Sequence, residues 1–527
     1  MRVLYNAHFR TNDPRQPFVE ALAVDHGRIA AAGSSDALLA RYPDAPREDL
    51  GGQTVWPGLT DAHIHLQHYG FALRMVDCET ATREECLRRV AVRARQTPAG
   101  EWIRGHGWNQ NDWAEGFGTL KELDAVAPDH PAFLTAKSLH AAWANSAALR
   151  AAGITRSTPD PEGGMFGRFD DGTPNGLLFE SAMSVVGDAI PAASADDIAN
   201  AIDQAQKTLF QFGITSVHDY DRSECFTALQ SLQSRGQLRL RVVKSIPLED
   251  LKHAAALGLR TGFGNNHLRI GSVKLFADGA LGPKTAAMLQ PYENDPQNTG
   301  FLLLDNEQIF EHGQQAVANG LSMAIHAIGD RANHEVLLAY AQLRRFEQDQ
   351  GLPAMRHRIE HVQVLHPDDY ARLAELDVIA SVQPIHATSD MFTADNHWGA
   401  RSAGAYAFRT LMERGTRLCF GSDAPVESPN PFLGMHAAVT RQRVDGSPTE
   451  EGWFPAQRLS LEEALHGFTT GPAYAAGLEH QLGMLAPEYF ADLVVFEMDP
   501  FTIPPDDLHK VRPVATMIDG EWVWRSA

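Results

Sequence analysis

The sequence contains few cysteines, no long apolar run and no basic cluster, and each absence argues against a class of protein. Only four of its 527 residues are cysteine, and their positions (78, 86, 225 and 419) show no paired spacing, which is typical of a reducing compartment. No apolar stretch is long enough to span a bilayer, and the N-terminal residues contain no apolar signal segment. The sequence therefore predicts a cytoplasmic protein without a membrane partner.

Positive charge is also scarce relative to negative charge. The formal net charge of −21 argues against a nucleic-acid partner, because a phosphate-binding surface requires clustered lysine and arginine. Hydrophobic residues make up 44% and charged residues 21%, the usual balance of a globular protein. The length favours more than one domain.

What the chain does contain is a regular alternation of short β-type runs with helix-like segments. Capping-type residues mark the start of some of the helical patterns. The segment "NEQIFEHGQQAVANG" is one example. Strand–helix alternation predicts parallel strands joined by right-handed crossovers, and eight strands predict a (β/α)₈ barrel of the TIM type. A doubly wound open sheet is the alternative. The eight runs are residues 55–66, 213–220, 238–246, 268–278, 321–328, 356–363, 378–384 and 417–425.

The spacing of these runs also predicts the domain organisation. The first and second runs are separated by roughly 150 residues, against about 30 for a simple βαβ unit, which indicates a subdomain inserted over the barrel mouth at about 99–190. Strand-like patterns with turn signals occur at both ends of the chain. We therefore expect residues 1–54 and 478–527 to form one small β-sandwich beside a barrel at residues 55–477.

Two histidines in the first run, "WPGLTDAHIHL", provide the first indication of chemistry. His63 and His65 are two residues apart, so a strand would direct both rings to one face, with Cα atoms about 7 Å apart. Two imidazoles held in this way suit a shared metal ion. Ordinary core or surface histidines would also explain the tripeptide by itself.

Four further ionisable residues lie late in predicted barrel strands, where TIM barrels carry their catalytic groups. A buried lysine or aspartate is costly unless it is paired, and each histidine could instead be an ordinary core residue. Separate structural causes could explain each residue by itself, but they would not favour the same end of the barrel for all of them. The four residues are Lys274, His326, His361 and Asp423.

Together these stretches resemble the amidohydrolase superfamily of metal-dependent hydrolases, in the branch that includes N-substituted formamide deformylases. The resemblance covers nearly the whole chain and implies a (β/α)₈ barrel with a β-sandwich built from both chain ends. It also implies a divalent metal, with Zn²⁺ expected, at one or two ions per chain. The matching stretches are "PGLTDAHIHL", "SVKLFADGALG", "HAIGDRAN", "RIEHVQ", "SVQPIHATSD", "GSDAPVESPNPF" and "ADLVVFEMDPF".

The resemblance implies a role for each residue of the set. His63 and His65 would bind the more buried metal ion, while His326 and His361 would bind a second ion or share the first. Asp423 would contact the metal and shuttle protons. The remaining residue, Lys274, would either bridge two ions as a carbamate or stay unmodified in a site with one ion.

The expected reaction is hydrolysis of an amide-type C–N bond, other than a peptide bond, by metal-activated water. Hydrolysis of an ester or a cyclic amide at the same site is the alternative, and a non-catalytic metal-binding relative is another. We expect a small, largely neutral or aromatic substrate, and the resemblance implies a homodimer. The candidate substrate-binding residues are Trp108, Trp113, His218 and His386, each of which could equally be structural.

Overall fold

The computed structural model describes residues 1–110, 113–137 and 141–526. The chain divides into two compact units. The first comprises Met1–Gly70 and Ile198–Ala527, and the second comprises Phe71–Asp197.

Eight parallel strands form the centre of the first unit and lie side by side in chain order. A parallel bridge between Ile64 and Ala424 joins the first strand to the segment after the last, which brings the two edges of the sheet together. The predicted (β/α)₈ barrel is thus confirmed, and the open sheet is excluded. The barrel strands are β1 (Leu59–Ile64), β2 (Ile214–Asp219), β3 (Arg241–Pro247), β4 (Leu268–Phe276), β5 (Met323–Ala327), β6 (Arg358–His361), β7 (Ile379–Val382) and β8 (Leu418–Phe420).

Helices follow the barrel strands, and local capping explains where several of them begin. Before the helix Asn306–Ala318, the Asp305 carboxylate accepts a hydrogen bond from the Gln308 N–H at 2.9 Å, and the Gln308 side chain accepts one from the Asp305 N–H. No helix among the described residues is both long and apolar enough to cross a membrane. The other α-helices with residues in the first unit are Ser35–Arg41, Leu66–Ala72, Ala195–Gln211, Ser223–Ser234, Leu251–Ala256, Asp330–Asp349, Arg372–Glu375, Pro384–Ser389, Met391–Trp398, Phe408–Glu413, Pro431–Thr440, Leu461–Gly467 and Thr470–Ala475.

Strands from both chain ends form two further sheets in the first unit. Their apolar side chains share one core, in which Leu4 and Ile29 pack with Leu493 and Met517. The β-sandwich expected from the two termini is therefore present. In sheet order, the four-stranded sheet is Arg28–Gly33, Ala21–Asp25, Arg2–Tyr5 and Arg47–Asp49, and the six-stranded sheet is Glu521–Arg525, Ala515–Ile518, Leu493–Phe496, Thr54–Pro57, His8–Arg10 and Phe18–Val19.

The run expected to be the first barrel strand is divided between two sheets. Residues Thr54–Pro57 pair antiparallel with Leu493–Phe496 in the terminal sheet, and β1 begins only after Gly58. A Cβ at Gly58 would lie 2.3 Å from Thr215 Oγ1. Glycine is therefore needed where the chain passes from the terminal sheet into the barrel.

The second unit contains a mixed six-stranded sheet with apolar cores on both faces. It begins earlier than the predicted insertion at about 99–190, because the helix Arg83–Gln96 packs on the strand Ile103–Trp108 through Cys86 and Val90. Its strands, in sheet order, are Gly164–Arg168, Pro174–Glu180, Ala141–Ala144, Ala132–Ala136, Ile103–Trp108 and Val76–Asp77, and its other helices are Leu120–Val126, Ser146–Ala151 and Ala182–Gly187.

Candidate metal centre

His63, in β1, and His65, directly after it, point toward one carboxylate. His63 and His65 each place Nε2 at 3.4 Å from Asp423 Oδ1, and their ring centroids are 5.8 Å apart. His63 is almost fully buried, whereas the side chain of His65 is 28% exposed. The period-two pattern therefore does place both rings at one site.

His326 and His361 lie at the ends of the neighbouring strands β5 and β6, with ring centroids 4.6 Å apart. One nitrogen of each ring is already engaged. His326 donates from Nε2 to the Gly279 carbonyl at 2.9 Å, and His361 donates from Nδ1 to Gln383 Oε1 at 2.9 Å. These bonds leave Nδ1 of His326 and Nε2 of His361 as the atoms that could hold a metal ion.

Lys274 lies near the end of β4 and lines the same cavity. Its Nζ is 4.8 Å from the ring centroid of Tyr220 and 4.9 Å from that of Phe276. Burial lowers the pKa of Lys274 to about 8, although Glu360 and Asp423 favour its charged form. The amine is therefore more easily deprotonated than an exposed lysine.

Asp423 follows β8 with a φ of +60°, in the left-handed region. Its N–H donates to the His63 carbonyl at 2.7 Å, which fixes the turn against β1. Despite burial, the surrounding histidines hold the pKa of Asp423 well below its usual value. The residue is thus a carboxylate aimed into a group of imidazoles.

Two buried carboxylates behind the histidines were not identified from the sequence. Glu360 accepts a hydrogen bond from His63 Nδ1 at 2.6 Å, which leaves Nε2 of His63 facing Asp423. Asp221 lies 3.4 Å from His65 Nδ1 and also accepts a hydrogen bond from His68 Nδ1. A carboxylate that fixes the tautomer and orientation of a metal-binding histidine is a recurring feature of metal sites.

The electrostatic environments of His63 and His65 differ. Burial and the nearby Lys274 charge lower the pKa of His63 to about 4, although Glu360 and Asp423 oppose the shift. Burial also disfavours the charged ring of His65, but its hydrogen bonds to Asp221 and Asp423 raise its pKa to about 9. The negative charge around His65 would equally favour a metal cation.

A cavity of about 340 Å³ contains these side chains and His386, which follows β7. His386 is only 6% exposed, and neither of its ring nitrogens has a hydrogen-bond partner within the described residues. Ligand-type atoms of His361, His386 and Asp423 lie within 4.8 Å of one another. His386 therefore borders the candidate centre within the same cavity.

The other three candidate substrate-binding residues are also buried. His218 borders a separate small cavity in the barrel interior, where its Nδ1 is 2.8 Å from the Arg358 guanidinium. Trp108 and Trp113 are buried in the core of the second unit, with ring centroids 6.1 Å apart. Their indole N–H groups donate to backbone carbonyls, at 2.8 Å and 3.0 Å respectively. This placement explains both tryptophans by packing, and their contact with substrate stays a prediction.

Sequence patterns could have revealed the two missed carboxylates. Arg358 and Glu360 alternate within a fully buried strand, and the Arg358 Nε lies 2.5 Å from Glu360 Oε1. Asp219 and Asp221 show the same spacing at the end of β2, beside the buried Lys244. Alternating charges in a buried strand indicate a paired interior network, but they do not reveal which distant histidine the network supports.

The donor set fits a divalent transition metal. His63, His65 and Asp423 offer one ligand atom each, all within 4.8 Å of one another, and imidazole with carboxylate is a ligand set that suits zinc. The remaining nitrogens of His326 and His361 add further donors. The fold and these side chains thus define a (β/α)₈ barrel protein with a candidate metal centre at the carboxyl ends of its strands.

Comparison with known families agrees with this class. A model described as the amidohydrolase family matches residues 48–524, and the chain therefore belongs to that family. A short segment, residues 21–45, also matches an imidazolonepropionase-like composite domain of bacteria.

Individual relatives and solved structures cover almost the full length. The chain is 32% identical over 521 residues to a putative amidohydrolase of Bacillus subtilis, with 96% of each protein covered. It is 30% identical over 548 residues to an N-substituted formamide deformylase of Arthrobacter pascens, covering 98% of this chain and 97% of that protein. An uncharacterised metal-dependent hydrolase of Pyrococcus horikoshii superposes with a TM-score of 0.79 at 30% identity, covering 96% and 99%.

Proposed function

We propose that the protein is a metal-dependent amidohydrolase that cleaves an amide-type C–N bond of a small substrate, other than a peptide bond. The observation that carries the proposal is the convergence of His63, His65 and Asp423 at the carboxyl ends of β1 and β8. A divalent ion held there, with zinc expected, would polarise a substrate carbonyl and lower the pKa of a water molecule to about 7.

The chain's own residues orient the metal-binding rings and transfer the proton. His63, held by Glu360, and His65, held by Asp221, present Nε2 to the same point. Asp423 lies 3.4 Å from both rings and is the candidate to accept the proton of the attacking water. The same carboxyl group would pass that proton to the departing nitrogen.

Lys274 determines whether one or two ions are expected. Its lowered pKa favours the neutral amine that can add CO₂, and a carbamate would supply two anionic oxygens to the cavity. We therefore propose a carbamylated Lys274 and two ions per chain, with His326 and His361 as further ligands. Metal analysis after growth with zinc and bicarbonate should give about two ions, and Lys274→Ala should lose at least one. One ion in both proteins would contradict the carbamate.

Chelation tests the proposed function directly. Removal of metal should abolish amide hydrolysis and lower Tm, because an ion that binds only the folded chain stabilises it, and zinc should restore both properties. Full activity in metal-free protein would contradict the proposal. A panel of amides, cyclic amides and esters compared by kcat/KM separates the amide reaction from its alternatives. Stoichiometric metal without turnover on the panel would favour a non-catalytic binding protein.

The substrate is proposed to carry an apolar or aromatic part. Five apolar side chains line the cavity beside the candidate ligands, namely Phe276, Ala280, Leu281, Ile328 and Val426. The proposals of a homodimer and of a cytoplasmic location continue the expectations from the sequence. Sedimentation velocity checks the first, and cell fractionation checks the second.

A further inference from the structure

The cavity contains two carboxylates that the candidate metal centre does not use. Asp390 and Glu427 line it together with His386 and the apolar side chains. Asp390 lies one helical turn after His386, and its N–H donates to the His386 carbonyl at 2.8 Å. Residues four apart in a helical turn face the same side, so the ring and the carboxylate border the same space.

His386 indicates that this part of the cavity binds a ligand. Its side chain is more than nine-tenths buried, and both ring nitrogens lack partners among the described residues. Buried polar groups in native proteins are almost always hydrogen-bonded. A partner that enters the cavity would satisfy the ring, and a donor N–H would suit a neutral imidazole nitrogen.

The two carboxylates add negative charge to this region. Asp390 is half-buried and accepts a hydrogen bond from the Tyr406 hydroxyl at 2.5 Å. Burial raises the pKa of Glu427, a hydrogen bond from Ser389 and the nearby His386 oppose that shift, and the charge of Asp390 adds to it. Glu427 is thus a partly buried acid whose ionised form an additional cation would stabilise.

Arg443 is close enough to influence Glu427, but its guanidinium is engaged by backbone carbonyls. The Arg443 guanidinium donates to the carbonyls of Thr388 and Ser389, at 2.9 Å and 2.7 Å, and lies over the Phe392 ring. The charge of Arg443 lowers the pKa of Glu427 by less than burial raises it. The carboxylate pair thus remains available to a ligand.

We propose that Asp390, Glu427 and His386 form an amine subsite, which binds an organic cation with N–H donors in the amine half of the substrate. This inference rests on the proposed function, because it assigns the substrate class of the same cavity. It changes the expectation of a largely neutral substrate: the apolar side chains bind an apolar segment, and the subsite binds an alkylammonium or amidinium group. Charge-assisted hydrogen bonds to the two carboxylates would provide the selectivity.

A binding experiment on the zinc-loaded protein tests the subsite without relying on turnover. Benzamidine and its neutral isostere benzamide are titrated by calorimetry, and benzamidine should bind at least about tenfold more tightly, since hydrogen bonds to charged groups are strong. Glu427→Gln should reduce this preference, and Asp390→Asn should do so independently. Glu450→Gln removes one exposed carboxylate outside the cavity and should leave the preference unchanged.

A matched substrate pair extends the test to catalysis. N-acetyl-1,4-diaminobutane should have a higher kcat/KM than N-pentylacetamide, and the Glu427→Gln variant should bring the two values together. Equal binding of the two titrated ligands, or a preference that persists in both cavity variants, would overturn the subsite. Cation binding without hydrolysis of any amide would leave the subsite standing and contradict the proposed function. Amide hydrolysis without a preference for cations would support the proposed function and contradict the subsite.

Discussion

Asp423 Oδ1 lies 3.4 Å from Nε2 of both His63 and His65, and substitution of Asp423 tests the proton-transfer role. Asp423→Asn keeps an oxygen that can coordinate, so the variant should fold and retain much of its metal. The rate should fall on the order of 10²–10⁴-fold, the usual range for general acid–base catalysis. Measurement of kcat with metal content checks this, and a kcat near that of the parent would leave Asp423 as a turn residue.

Glu360 acts through His63, so its effect should show in metal binding. Glu360→Gln preserves shape but removes the charge that holds Nδ1 of His63 at 2.6 Å. Loss of such a partner weakens metal affinity about 10–100-fold. Competition with a chromophoric chelator measures this affinity.

A second buried glutamate–histidine pair provides the control for this variant. Glu347 lies 3.1 Å from His357 Nε2, and neither residue lines the cavity. Glu347→Gln should lower Tm without changing metal affinity. Equal losses of affinity in both variants would show that Glu360 contributes only to stability.

At the scale of one element, the helix Leu461–Gly467 should be sensitive to pH through its N-terminus. The Glu463 carboxylate accepts a hydrogen bond from the Ser460 N–H at 2.7 Å and pairs with both terminal nitrogens of Arg409. The Arg409 hydrogen bonds lower the pKa of Glu463 to about 2. Because the folded-state pKa lies below the unfolded value of about 4.3, ionised Glu463 stabilises the folded state above that pH.

This stabilisation should disappear as the pH falls through the folded-state pKa. The Tm of Glu463→Gln should therefore lie furthest below that of the parent above pH 5, and the difference should shrink progressively toward pH 2. Calorimetric scans of both proteins from pH 7 downward measure this difference in Tm. A Tm difference that is independent of pH would mean that the carboxylate charge does not contribute.

At the scale of the whole molecule, a buried ion pair connects the barrel to the terminal sheets. Arg241 on β3 donates to both oxygens of Asp492, at 2.6 Å and 2.8 Å, and to Asp519. Asp492→Ala would leave the buried guanidinium with less compensation and should cost about 3–5 kcal/mol of unfolding free energy. Denaturant unfolding measures this cost.

The matched control for that variant is an exposed pair. Asp507 pairs with Lys510 at 2.6 Å on the surface, and Asp507→Ala should leave stability almost unchanged, because exposed pairs are screened by solvent. Similar losses of unfolding free energy in both variants would contradict this prediction. They would show that burial of the Asp492 pair between the barrel and the sheets adds nothing to stability.

Local patterns in the sequence were sufficient for the barrel and for most of the candidate centre. Alternation of apolar runs with helical periods predicts eight parallel strands. Seven observed barrel strands lie within their predicted runs, and β3 extends one residue beyond its run, to Pro247. The two-residue spacing of His63 and His65 predicts rings on one face, since side-chain direction in a strand is set by the backbone itself. The position of a residue late in a parallel strand likewise places it at the carboxyl end of the barrel.

Tertiary structure decided the contacts between residues that are distant in sequence. Glu360 supports His63 across 297 positions, and Asp492 pairs with Arg241 across 251. The division of the first apolar run at Gly58 depends on the proximity of Thr215. Such contacts depend on barrel closure and strand register, which no local pattern encodes. The sequence by itself thus determined which side chains reach the mouth of the barrel, and the closed barrel determined which partners hold them there.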